Sequence, residues 1–143
     1  MENSFEFNSY DEFINPELNK PCIYKLIVLT ETTDEELYIL LDKSDNYQCL
    51  TDKTLLCKDI RTQCSQQIKN YTDIEVNPND IKFWFIEDEI DKIILNYVTC
   101  LNQDIDERWI KLNTINTLNI EEDDYTKILK LYKYVTKKNL YDK

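Results

Sequence analysis

The residues of this chain best suited to chemistry are carboxylates. Glu87, Asp88, Glu89 and Asp91 crowd together, and Asp104 and Asp106 follow close behind. Placed just after a strand, such a group can hold Mg²⁺ or Mn²⁺ and activate water for hydrolysis. The pattern has low specificity, because 28 of the 143 residues are acidic and clusters arise freely. A second acidic run, Glu121–Asp124, lacks the spaced ligands and the glycine of a calcium loop. It stands where the first turn of a helix is expected, so capping is its assigned role.

Other chemistry is excluded by omission. The chain has no His, which removes the commonest general base and every Ser–His or Cys–His pair. It has no Gly, so phosphate-cradling glycine loops and the nucleophile elbow of many hydrolases are absent. Cys22, Cys49, Cys57, Cys64 and Cys100 form no CxxC, and free thiols are the expectation. Cys57 and Cys64 would share a helix face, but a metal would need two more soft ligands there. No cofactor and no bound metal are expected. The chain also has no Ala. Ala is the best helix former, so no folding rule explains its absence. Avoidance of GC-rich codons does, and it points to an AT-rich genome.

The aromatic residues suggest a different use. Trp84, Trp109, Phe5 and Phe7 stand among acids, with Asp104, Asp106 and Glu107 just before Trp109. Trp and Tyr dominate interface energies because they bury large areas at low entropic cost. Trp109 has polar neighbours in sequence and is the expected surface anchor, whereas Trp84 is expected in the core. Charge supports docking on a basic surface: outside residues 127–143 there are 27 acids against 11 bases. Residues 127–143 reverse this, with six Lys and one Asp. That basic footprint is confined to one segment, which disfavours nucleic acid as a partner.

These residues need elements to position them. "CIYKLIVLT" (22–30), "ELYILLDK" (36–43) and "YQCLT" (47–51) read as three short strands in a meander. Residues 55–70 suit a helix, with Leu56, Ile60, Cys64 and Ile68 four apart. "TDIEV" (72–76) reads as a strand and "NPND" (77–80) as a breaker. Residues 81–86 alternate like a strand. From Asp88 the apolar spacing turns helical, predicting a helix over 88–102, with one helix from residue 80 as the alternative. A last helix is expected over 122–140, with acids at its start and lysines at its end.

The expected fold class is therefore α+β, a single small domain in which an N-terminal antiparallel β meander packs with about three helices. An all-α bundle is the alternative. Residues 1–20 read as an acidic–aromatic segment, expected to be mobile, and 21–143 as one globular domain. With neither a signal peptide nor a transmembrane run, the expected location is the cytoplasm. The functional expectation is a protein-interaction module rather than an enzyme. It would be an inhibitor or adaptor that binds the basic surface of another protein, with no membrane association. A viral or mobile-element factor acting on host defence would have this character. Two alternatives stand beside it: a carboxylate and Mg²⁺-dependent enzyme, and a small subunit of a transcription or replication assembly.

Overall fold

A computed structural model of the chain describes residues 21–43, 46–54 and 59–136. It is an α+β fold and not an all-α bundle. The strands are β1 (Cys22–Glu31), β2 (Leu37–Leu40), β3 (Asp42–Lys43), β4 (Tyr47–Gln48), β5 (Leu50–Lys53), β6 (Lys82–Asp88), β7 (Ile93–Leu101) and β8 (Trp109–Lys111). Two α-helices, α1 (Ile60–Thr72) and α2 (Glu122–Thr136), and two 3₁₀ helices, Pro78–Asp80 and Leu112–Thr117, complete the described elements. The main sheet runs β6-β7-β1-β2-β8, with β5 also pairing β1, and β3 and β4 form a separate ribbon. The described residues fall into two compact units, one within 21–26 and 50–99, the other within 27–49 and 100–136.

In the first unit the start of β1 pairs antiparallel with β5, from Ile23 opposite Lys53 to Leu26 opposite Leu50. The largest departure from the sequence expectation is here. Residues 88–102 are not a helix: β6 and β7 form an antiparallel hairpin. Strand β7 is buried from Ile93 through Thr99 without a break. A strand covered on both faces shows a continuous apolar run, and periodicity cannot separate that from a helix. Its β-branched and aromatic residues, Ile93, Ile94, Tyr97, Val98 and Thr99, favour the extended form. The hairpin also resolves the crowding of Phe83, Trp84 and Phe85. The register shifts between Phe83 and Phe85, so both Phe83 and Trp84 are buried. Phe83 packs edge-on against Tyr97 with centroids 5.6 Å apart. Asn96, itself buried, satisfies the irregular strand by donating to Phe85 O (3.2 Å) and to Glu87 Oε1 (3.0 Å).

The second unit holds the far half of β1. It pairs antiparallel with β2, and β2 pairs antiparallel with β8, setting Leu40 opposite Trp109. Thr30, fully buried, bonds through its hydroxyl to the carbonyls of Leu101 and Gln103 and accepts from Gln103 N–H at 2.9 Å. Helix α2 opens with Glu122, Asp123 and Asp124 in its first turn, and Glu121 Oε1 accepts from Asp124 N–H at 3.0 Å. The acidic run therefore caps a helix, as its position in sequence implied. Among the described residues no helix is long and apolar enough to cross a membrane.

Lack of glycine leaves a mark on the backbone. Glu35 and Asp73 adopt φ of 63° and 64°, a left-handed conformation that glycine adopts without the Cβ penalty. Asp73→Gly should raise stability by about 0.5–1 kcal/mol in urea unfolding, since relief of that strain outweighs the added freedom of the unfolded chain. A loss of stability would show that the aspartate side chain matters more than the backbone.

Candidate functional site

In the first unit a groove of about 630 Å³ runs beside α1, lined by Ser65, Gln66, Lys69, Glu75, Val76, Asn77 and Pro78. It exists because α1 is held by one face and stopped sharply. Ile60, Cys64, Ile68 and Thr72 are the buried stripe, four residues apart. Gln63 and Gln67 bridge to β5, their amide nitrogens donating to Lys53 O (2.7 Å) and Thr51 O (3.2 Å). Buried Tyr24 donates its hydroxyl to Gln67 Oε1. Burial, reinforced by Cys64, Asp52 and Tyr71 nearby, pushes the Tyr24 phenol far above its ordinary pKa, so it remains a neutral donor. Asp59 caps the start of α1 by accepting from Arg61 N–H at 3.0 Å. At the other end Asp73 turns left-handed and its N–H returns to Lys69 O at 2.8 Å.

That reversal brings residues 74–78 back alongside the helix. Ser65 donates its hydroxyl to Val76 O, which fixes the return. Lys69 Nζ meets Glu75 Oε1 at 2.9 Å, and both side chains remain largely exposed. Gln66 donates to Asn70 Oδ1 at 3.1 Å on the open side of the helix. Asn77 caps the short 3₁₀ turn by accepting from Asn79 N–H. The groove therefore presents amides and an ammonium, the Ser65 hydroxyl being engaged by Val76 O. Its carboxylate, Glu75, is already matched by Lys69.

The hydrogen bond and charge of Lys69 hold the Glu75 carboxyl below the usual glutamate range. A folded-state value below the unfolded one means the pair stabilises above the ordinary glutamate pKa and ceases to do so as pH falls through the folded value. In an NMR titration, Lys69→Gln should move the Glu75 midpoint upward; an unmoved midpoint would show that the pair does not form in solution.

The residues singled out in sequence are placed differently. Trp109 is 5% exposed, so it is not a surface anchor. Its neighbours in sequence are polar, but β8 turns the indole inward opposite Leu40. Trp84 is 1% exposed and belongs to the core, as expected. Phe5 and Phe7 lie outside the described residues. Asp104, Asp106 and Glu107 share one exposed loop. Within it Asp106 pairs with Arg108, which holds its carboxyl below the usual range. The Glu107 carbonyl accepts from Lys43 Nζ at 3.3 Å. Nor do the carboxylates of 87–91 converge. Glu87 and Asp88 lie on β6, Glu87 accepts from Asn96, and Glu89 pairs with Lys92 across the turn at 3.4 Å. Among the described residues no group of three or more His, Cys, Asp or Glu could hold a metal ion. Burial raises the thiol pKa of Cys22 and of Cys100, so neither is a ready nucleophile. The sequence reading missed Ser65, Gln66, Lys69, Glu75 and Asn77. One available signal was that α1 has no acidic residue in 13 positions, in a chain with 28 acids.

The arrangement of sheet and helices is that of the Nudix fold. The chain is similar to the Nudix domain of Shewanella oneidensis NrtR, solved with ADP ribose. The TM-score is 0.65 at 11% identity, covering 88% of this chain and 96% of that one. It is also similar to the C-terminal domain of mouse MUTYH, solved with human PCNA (TM-score 0.64, 9% identity, 83% and 91% covered). A third likeness is to the Ap4A hydrolase of C. elegans (TM-score 0.59, 9% identity, 81% and 98% covered). No protein-family model matches the sequence, and no curated protein matches it. These likenesses correct the functional expectation. An acidic inhibitor or adaptor without enzymatic activity is overturned by a fold that recurs in hydrolases. The reading as a viral factor acting on host defence finds no support in that fold. The expectation failed because net charge reports on association and solubility, not on fold.

Proposed function

We propose that the chain is a Nudix-type hydrolase acting on a small nucleotide with a phosphoanhydride linkage. The observation that carries this is the Nudix fold, matched over four fifths or more of the chain by proteins that include hydrolases. One neighbour was solved with such a nucleotide, ADP ribose, and another is named for one, Ap4A. In the reaction a water oxygen bonds to phosphorus and a P–O bond of the anhydride breaks. Two phosphate products leave and a proton is released. Cysteines kept as thiols, at 22, 49, 64 and 100, suit work in the reducing cytoplasm.

Hydrolysis of this kind is commonly assisted by Mg²⁺ or Mn²⁺ held on carboxylates. The described residues do not fit such an ion: the acids are dispersed or paired, and α1 offers amides instead. No step is therefore routed through a cation. The test is to incubate the purified chain with ADP ribose, Ap4A and nucleoside triphosphates, with Mg²⁺, with Mn²⁺ and with EDTA. Products are followed by ³¹P NMR. Consumption of one anhydride with growth of phosphate monoester signals is expected. A folded protein that turns over none of them in any condition overturns the proposal.

A further inference from the structure

We infer that the groove beside α1 holds the phosphates of the ligand directly, through amide and ammonium donors, without a divalent cation carried by the protein. This rests on the proposed function for the class of ligand and goes beyond it in naming the site and its cation independence. Three observations support it.

The first is size. At about 630 Å³ the groove falls within the range of small-molecule sites, roughly 300–1,000 Å³. The second is charge. Two smaller cavities of the second unit carry excess acid: one has Glu35 beyond the Glu36–Lys111 pair (2.7 Å), the other has Glu31 and Asp104. A phosphate entering either would meet like charge. Glu75 in the α1 groove is neutralised by Lys69 at 2.9 Å. The third is donor chemistry. Mg²⁺ and Mn²⁺ select carboxylate, carbonyl and water oxygens. A phosphate oxygen instead selects N–H and O–H hydrogens. Gln66, Lys69 and Asn77 supply the second kind, while the Ser65 hydroxyl hydrogen is already given to Val76 O. An ammonium carries three hydrogens, so Lys69 can keep Glu75 and still engage phosphate.

Binding of ADP ribose and of inorganic pyrophosphate is measured by calorimetry on the full chain, in EDTA and in Mg²⁺. Affinity within about threefold in the two buffers is expected. Lys69→Glu should weaken it at least tenfold, with Lys69→Met intermediate. Far-UV circular dichroism confirms that each variant is folded. Binding that appears only with Mg²⁺ overturns the inference while leaving the proposed function standing. Binding unchanged by both Lys69 variants moves the site elsewhere and also overturns it. Absence of binding and of turnover overturns the proposed function and this inference with it.

Discussion

Trp109→Ala should destabilise the protein by about 3–5 kcal/mol, the cost of emptying a core site occupied by a large aromatic. The indole is 5% exposed and sits on a three-residue strand whose partner across the ladder is Leu40, 2% exposed. Losing it removes the main apolar side chain that β8 contributes and leaves β2 with a weakened neighbour. Small domains have total stabilities of roughly 5–15 kcal/mol, so this one change removes a large share. Chemical denaturation monitored by circular dichroism checks it. A loss under 1 kcal/mol would mean that the residue is exposed in solution and would restore the surface role read from its polar sequence neighbours.

Asp124→Ala should cost about 2–3 kcal/mol, far more than any other acid of the Glu121–Asp124 run. Asp124 is fully buried, and its carboxylate accepts the backbone N–H of Cys49 at 2.9 Å. A buried N–H that loses a charged acceptor keeps its desolvation cost, which is why truncation exceeds the net worth of the bond. Glu122 and Asp123, both exposed, help the helix mainly through its dipole, worth a few tenths of a kcal/mol to about 1. Alanine at Glu122, at Asp123 and at Asp124, compared by urea unfolding, should single out Asp124. Equal losses at the three would show that capping alone accounts for the run.

Several elements were legible because local rules decide them. The β-rich run at 22–30 is strand β1, and the four-residue spacing of Ile60, Cys64 and Ile68 is the buried stripe of α1. The acids of 121–124 open α2 as the dipole requires. "NPND" forms the 3₁₀ turn that ends one element before the next. Residues 72–76, expected to be a strand, instead finish α1 and return beside it, because Asp73 takes the left-handed cap that no glycine was there to announce.

The sequence by itself determined the α+β class, the burial of Trp84, the lack of histidine and glycine chemistry, and the strong negative charge of the chain. These follow from residue identity and short-range spacing. Tertiary structure decided whether 88–102 was helix or strand, which way Trp109 faced, and which carboxylates met. Each depends on what packs from elsewhere in the chain. A segment buried on both faces loses its period, and a tryptophan's direction is set by the strand opposite. Acids adjacent in sequence alternate between faces once the chain is extended, so Glu87 and Asp88 cannot converge as they would in a loop. The groove beside α1 belongs to the same category. Its lining residues lie up to 13 positions apart, from Ser65 to Pro78, and only the left-handed reversal at Asp73 lays the two segments side by side.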